Sequence, residues 1–177
     1  MKIIRTDRLD LVPATLALVE ADIESPEALA RLLGAAVPSS WPPGEYDRAA
    51  MEFFRDRLSE SPEAVGWYGW YAVHRSVEPH GSVLVGCGGY LGPPAADGVV
   101  EIGYSIVPES QRLGFATELV HALLSRAFSM PQVVGVIAHT TSTNLGSVRV
   151  LEKCGFSLVG PGREPGTVRY ATTKPTS

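Results

Sequence analysis

A run of apolar and β-branched residues, Val99 to Val107, stops at Pro108, passes through the loop Glu109-Ser110-Gln111-Arg112-Leu113-Gly114, and resumes as a helical pattern from Leu119 to Phe128. No other stretch constrains the fold so tightly. A strand, a turn of small residues and a helix start follow one another with almost no linker. The first N–H groups of a helix have no partner inside it and point outward at the positive end of its dipole. Gly114 and Ala116 are small enough to let a ligand approach that backbone. The stretch therefore predicts an anion cradle, suited to a phosphorylated ligand. A second apolar run, Val133 to Thr140, follows the helix and reads as a buried strand. The strand–helix–strand unit predicts a right-handed parallel crossover.

The rest of the chain supplies the other elements of a mixed α/β sheet. Arg8 to Val12 alternates as an opening strand, ended by Pro13. Thr15 to Ile23 predicts a helix. Ser25-Pro26-Glu27 has the N-cap, first-turn proline and early acid of a second, which ends at Gly34. Asp47 caps another through Met51, Phe53, Phe54 and Leu58. Strands are expected near 66–75 and 82–91, joined by a polar turn with Pro79 and Gly81, and a hairpin at Asp97-Gly98 leads into Val99–Val107. The helix Thr117–Met130 sets Glu118, His121, Ser125 and Ser129 along one polar stripe opposite Leu119, Val120, Leu123, Ala127 and Phe128. Asn144 to Cys154 predicts a helix with Gly155 and Phe156 as a Schellman cap. Short strands near 156–159 and 168–171 close the fold, and the last few residues read as disordered. The aromatics of Gly66–Tyr71 alternate and are expected mostly in the core.

Bulk properties exclude several classes. The 177 residues suit one domain, and 45% hydrophobic with 19% charged residues is a soluble globular balance. A net charge of −4 without any basic run argues against nucleic acid. Cys87 and Cys154 are isolated, so buried thiols are expected, and no Cys/His spacing suggests a metal. Met1 to Asp7 lacks a signal-peptide pattern and no apolar run approaches ~18 residues, so a cytoplasmic protein without a membrane span is expected. A nucleotide triphosphatase is excluded, because no lysine follows Gly114 as a phosphate loop requires.

Val100-Glu101-Ile102-Gly103-Tyr104-Ser105-Ile106 followed by Gln111-Arg112-Leu113-Gly114-Phe115-Ala116-Thr117 resembles the acetyl-CoA-binding motif of the GNAT (GCN5-related N-acetyltransferase) family. The run His139 to Phe156 is similar to that family's second motif, in its ribosomal-protein alanine N-acetyltransferase-like branch. Thr6-Asp7-Arg8-Leu9-Asp10-Leu11 is similar to the branch's opening strand. The resemblance covers most of the chain and is weakest across 13–65. It implies a GNAT fold over residues 1–177: a central, mostly antiparallel sheet splayed at the acetyl-CoA-binding strand and flanked by helices. It further implies acetyl-CoA as cosubstrate, no metal, a small-molecule or peptide amine as acceptor, and direct attack without a covalent enzyme intermediate. A homodimer is common in the branch.

The resemblance also implies residue roles. Backbone N–H groups from Gln111 through Arg112, Leu113, Gly114, Phe115, Ala116 and Thr117 would hold the CoA pyrophosphate. Ile106 and Val107 would pair with pantetheine like an added strand, with N–H groups near Val107 at the oxyanion. The bland alternative is an ordinary strand–helix turn. The branch usually has glycine where Arg112 stands. Either that position needs φ > 0 and Arg112 is strained, or Arg112 reaches the pyrophosphate with its own charge; the second is the favoured expectation. Asn144 is a helix N-cap that can also contact the CoA arm. Ser147 is either a first-turn residue or the donor of a proton to the departing thiolate.

Strand alternation places Glu101, Gly103 and Ser105 on one face and Val100, Ile102, Tyr104 and Ile106 on the other. Glu101 is then a candidate base for the amine, directly or through water, or a binder of the ammonium. Among the histidines, His121 reads as solvated, and His139, near the end of the neighbouring strand, is a minor candidate for lining the site. Trp41, between prolines, is either an acceptor-pocket or lid residue or a packed anchor. The rival to an N-acetyltransferase is a non-catalytic acyl-CoA sensor on the same fold.

Overall fold

The computed structural model describes residues 2–75 and 81–175. The expected turn residue Pro79, His80 and the end of the C-terminal tail lie outside them. In chain order the elements are β1 (Ile4–Arg5), β2 (Leu9–Pro13), α1 (Leu16–Glu24), α2 (Pro26–Leu33), α3 (Arg48–Glu60), β3 (Gly69–His74), β4 (Val83–Tyr90), β5 (Val99–Ile106), α4 (Phe115–Ser129), β6 (Gly135–Thr141), α5 (Leu145–Lys153), β7 (Ser157–Pro161) and β8 (Thr167–Thr173). Short 3₁₀ turns sit at Pro62–Ala64 and Pro108–Ser110. The strands form one eight-stranded sheet in the order β1-β2-β3-β4-β5-β6-β8-β7. Every pairing is antiparallel except β5 with β6.

The local signals act as anticipated at most boundaries. Thr15, Ser25, Asp47 and Asn144 each accept a hydrogen bond from a first-turn N–H of the helix they open. Gly155, at φ +83°, lets Phe156 N–H turn back onto the Leu151 carbonyl at 3.0 Å, with both side chains buried in a Schellman cap. The approach to β5 differs from a two-residue hairpin. Leu91 to Gly98 form an eight-residue connection closed by a turn in which Gly98 N–H donates to the Ala95 carbonyl at 2.8 Å. Helix α4 begins two residues earlier than expected because Phe115, 4% exposed, is drawn into the core.

Both faces of the sheet are covered, and each has its own core. On one face α4 and α5 contribute Leu119, Leu123 and Leu151 against Leu9, Leu11, Trp70, Ala72, Val100 and Ile102. On the other, α1 to α3 contribute Val19, Leu29, Phe54 and Leu58 against Tyr71, Val73, Leu84 and Cys87. Trp70 and Ala72 face one core and Tyr71 and Val73 the other, so β3 reads as a continuous apolar run. Each fully buried aliphatic side chain contributes roughly 1.5–3 kcal/mol by leaving water. Both cysteines are free and buried.

The second core carries a charged hub. Asp22, 7% exposed, accepts from Trp41 Nε1 at 2.8 Å, from Tyr46 OH at 3.0 Å and from Tyr71 OH at 3.0 Å. Burial pushes the Asp22 carboxyl above its ordinary value, and the three donors pull against that rise. This corrects the acceptor-pocket expectation for Trp41. Its ring packs against Tyr46 and Tyr71 and its N–H is committed to a buried carboxylate, so it is the packed anchor. Trp41→Phe keeps the apolar ring and leaves Asp22 one donor short. Under-satisfying a buried acceptor costs about 1–3 kcal/mol. Urea unfolding is expected to show a loss in that range, whereas an unchanged midpoint would mean the hub is not stabilising.

Candidate active site

The site originates where the sheet parts. Strands β5 and β6 pair from Val99↔Gly135 to Ile102↔Ala138 and no further. Beyond that point β5 stays with β4 up to Ile106↔Gly86, and β6 stays with β8 up to Thr141↔Thr167. Each strand follows its outer neighbour and a fork opens between them. A cleft of about 550 Å³ runs through it, lined by Gly103, Tyr104 and Ser105 of β5, His139 to Thr141 of β6, and Asn144 and Ser147 of α5. On the α1–α3 side the same cleft meets Glu45, Tyr46, Phe54 and Tyr71.

Strand alternation decides which backbone groups face the opening. Leu91 N–H donates to the Glu101 carbonyl and Val107 N–H to the Val85 carbonyl, both toward β4. The groups of Ile102, Tyr104 and Ile106 therefore point the other way, and past the last pair Tyr104 and Ile106 have no strand beside them. Val107 is corrected by the same geometry. Its N–H is held by Val85 at 2.9 Å and is not free for a ligand, and its carbonyl already accepts from Ser110 N–H at 3.0 Å. The Ile106 carbonyl accepts from Gln111 Nε2 at 3.0 Å.

The loop after β5 has the cradle geometry. Arg112 at φ +62° and Gly114 at φ +84° are both left-handed. Successive N–H groups in such a curl converge on one concavity, where an anion can sit. Helix α4 follows with no side-chain cap. Its first-turn N–H groups at Phe115, Ala116 and Thr117 are open by helix geometry. Among the described residues no carbonyl accepts from Arg112, Leu113 or Gly114 N–H. The favoured expectation for Arg112 is thereby reversed: the position does require φ > 0, and Arg112 is the one non-glycine residue among those described that carries it.

The loop is fixed from a distance by the connection between β1 and β2. Arg8 Nη1 donates to the Leu113 carbonyl at 2.8 Å, and its Nε and Nη2 meet Glu118 Oε2 at 2.8 Å. Arg8 N–H and Thr6 Oγ1 donate to the other Glu118 oxygen. The guanidinium also lies 4.5 Å from the centre of the Phe115 ring. Glu118, expected on a polar stripe with His121 and Ser125, is half-buried and anchors the loop, while His121 and Ser125 are exposed. Burial raises the Glu118 carboxyl, but the hydrogen bonds from Thr6 and Arg8 and the Arg8 charge outweigh it, and the group sits below its ordinary value.

Two side-chain pairs flank the fork. On the α1–α3 face, Glu101 Oε1 meets His139 Nδ1 at 2.8 Å and Glu101 Oε2 accepts from Arg163 Nη2 at 2.7 Å. On the α4–α5 face, Tyr104 OH lies 3.0 Å from Ser147 Oγ and 3.2 Å from the Ser147 carbonyl oxygen. Burial pushes the Tyr104 phenol up to about 12, with the Ser147 contact opposing. Asn144 Oδ1 caps α5 by accepting from Ser147 N–H at 3.1 Å.

The fork thus brings Glu101, Ser147 and Asn144 to one cleft, with Ile106 and the 111–117 loop just beyond it at the end of β5. It leaves out Trp41 and the Val107 backbone. Sequence reasoning missed Tyr104, Arg163 and Arg8, and gave His139 too small a part. A usable signal existed for His139. Once the two strands are set parallel with Glu101 opposite Ile137, residue 139 must fall on the Glu101 face. No comparable pattern marks Arg163 or Arg8, which arrive from 62 and 110 residues away.

Comparison with known proteins gives this arrangement a class. Residues 8–157 match the acetyltransferase (GNAT) domain family. An uncharacterised N-acetyltransferase of Bacillus subtilis, YjdG, is 29% identical over 158 residues, covering 89% of this chain and 91% of that protein. The fold is shared with RimL, the ribosomal L7/L12 α-N-protein acetyltransferase solved with coenzyme A, at a TM-score of 0.66 and 15% identity over 97% of this chain and 98% of that one. It is shared equally with the ribosomal-protein-S5-alanine acetyltransferase of Vibrio fischeri, at 0.66 and 16% over 98% and 97%. The chain belongs to the GNAT acetyltransferase family, and its activity is acetyl transfer from acetyl-CoA.

Two predictions follow from the loop. A non-glycine residue in the left-handed region costs about 1–2 kcal/mol, partly offset by the entropy glycine adds to the unfolded chain. Arg112→Gly is therefore expected to stabilise by ~0.5–1 kcal/mol in chemical denaturation, and a loss of stability would contradict the strain. Glu118 has a folded pKa below its unfolded value near 4.5, so its contribution is full above that value and disappears as pH falls through the lower, folded one. Glu118→Gln should lower stability at neutral pH and flatten its decline below pH 4.5.

Proposed function

We propose that residues 1–177 form one catalytic unit that moves the acetyl group of acetyl-CoA onto a primary amine by direct attack, with both substrates bound at once. The observation that carries this reading is the fork itself. It joins an anion cradle and the Tyr104–Ser147 pair on the α4–α5 side to a pocket of carboxylates and aromatic rings on the α1–α3 side.

Pyrophosphate is read onto the open N–H groups of Arg112 to Thr117. Each such contact contributes roughly 0.3–1 kcal/mol when exposed and up to ~2 when partly buried, so an array of them anchors a cofactor without a dedicated side chain. The open edge of β5 at Tyr104 and Ile106 suits the amides of a pantetheine arm, as a strand edge suits an added strand. The residues present fit the cosubstrate, and no metal is needed for the step.

The amine enters from the other side. Tyr46, Phe54 and Tyr71 supply ring surface, and Glu45, Glu101 and Glu164 supply negative charge that draws an ammonium in. The nitrogen lone pair forms the C–N bond at the acetyl carbon. Tyr104 or Ile106 N–H, not Val107, stabilises the oxyanion. The C–S bond breaks and sulfur leaves with the bonding pair. A thiol of ordinary pKa ~8.5 departs readily as thiolate. A phenol held near 12 does not ionise to protonate it. Ser147 and Tyr104 therefore act by donating hydrogen bonds to the developing charge.

Amine-dependent release of free CoA thiol from acetyl-CoA, followed over a panel of alkylamines and peptides, tests the reading. Turnover with at least one amine is expected. The Ser147→Ala/Tyr104→Phe double variant should lose ~10²-fold in kcat, the scale of a lost transition-state hydrogen bond. Acetyl-CoA binding without turnover of any amine would instead favour a sensor.

A further inference from the structure

We infer that His139, not Glu101, accepts the proton of the acceptor amine, and that Glu101 is the positioning residue that makes it able to. This deepens the transferase reading and rests on it. His139 is the first residue of β6 beyond the last pair with β5, so its side chain stands at the mouth of the fork and lines the cleft. Glu101 is less available. Both of its oxygens are engaged, Oε1 by His139 Nδ1 at 2.8 Å and Oε2 by Arg163 Nη2 at 2.7 Å. An amine reaching that carboxylate directly must compete with two hydrogen bonds already made.

The contact also fixes the tautomer. A carboxylate only accepts, so the proton of the neutral ring resides on Nδ1, and Nε2 presents a bare lone pair. Among the described residues Nε2 has no hydrogen-bond partner. Imidazoles take up and release protons between pH 5 and 8, where a base must be mostly free and still strong enough to take a proton from an ammonium. A carboxylate behind the ring orients it and stabilises the imidazolium once formed.

The surroundings are mixed in sign. Glu101 and Tyr104 come from β5, and Arg169 stands opposite His139 on β8. Arg163 and Glu164 reach in from the β7–β8 connection, and Glu45, Tyr46, Tyr71 and Cys87 line the far wall, with Asp22 behind the two tyrosines. In the step, the ammonium gives one proton to Nε2, and the freed nitrogen lone pair forms the C–N bond. As the C–S bond breaks toward sulfur, the nitrogen's second proton goes to the departing thiolate, and the imidazolium then passes its proton to solvent.

The discriminating variant is His139→Asn, whose amide nitrogen can keep the Glu101 hydrogen bond while the ε nitrogen is gone. It is compared with wild type and Glu101→Gln in kcat/KM from pH 5 to 9. The two acceptors are the alkylamine that turns over fastest and the O-alkylhydroxylamine of matched length, already neutral at pH 7. At pH 7 His139→Asn should lose about 10²-fold or more on the alkylamine and under about 10-fold on the hydroxylamine analogue. With the hydroxylamine, which is already neutral, it should also flatten the acid limb of the profile, and it should keep the wild-type acetyl-CoA Kd. Glu101→Gln should lose less and retain an acid limb. Imidazole added to His139→Ala should restore part of the rate. Wild-type kcat/KM and an intact acid limb in His139→Asn, with the limb abolished in Glu101→Gln, would overturn the assignment and return the base to Glu101. A wild-type chain that turns over no amine overturns the transferase reading and the base with it, an outcome distinct from turnover surviving in His139→Asn.

Discussion

Everything in the site depends on β5 and β6 pairing for only four residues and then separating. A sheet normally closes such a gap, because an unpaired, buried backbone group costs about 1–3 kcal/mol. Here each strand is committed to its outer partner, β5 to β4 and β6 to β8, and those pairings continue well past the fork. The groups left over are few: those of Tyr104 border the open cleft, and the Ile106 carbonyl is taken by Gln111 Nε2. The same parting is what lets one ligand reach both faces of the sheet. Glu101 and Tyr104 lie on opposite faces of one strand, yet both border the cleft.

The second requirement is a loop that is ready before its ligand arrives. Arg8 ties the Leu113 carbonyl and the Glu118 carboxylate to β2. The cradle is thereby fastened at both ends, by Gln111 to the end of β5 and by Arg8 to the turn that leads into β2. A loop held this way loses less conformational freedom on binding than a free one. It also explains how a strained Arg112 persists. Left-handed backbone in a non-glycine residue survives where surrounding contacts over-determine it.

Most of this fold was legible in the sequence because its boundaries are set locally. Ser25 before Pro26, Asp47, Asn144 and the Gly155–Phe156 pair each determine an end with their own atoms, and each held. The cradle was legible for the same reason. What failed depends on contacts across the chain. Trp41 between prolines looks like an exposed lid until Asp22 supplies a buried partner. Val107 looks available until β4 takes its N–H. Arg112 looked free to adopt ordinary backbone, and only the curl between Gln111 and Gly114 shows otherwise. Arg163 stands in a connection with no pattern of its own, and its role exists only because it meets Glu101.

The net charge of −4 conceals how charge is distributed along the cleft. At physiological salt, exposed charges more than about 8 Å apart are largely screened, so a ligand responds to its immediate surroundings and not to the total. At one end it meets Glu45, Glu101 and Glu164, softened by Arg163. At the other it meets the start of α4, with Arg8 behind the loop and Arg112 exposed upon it. In the proposed reaction the cationic amine and the polyanionic cosubstrate, approaching from opposite sides, would each be drawn to their own end. Exchanging the charges of the two ends would leave the sum unaltered and abolish that sorting. The fork makes the separation possible, because its two mouths open on opposite faces of the same strands.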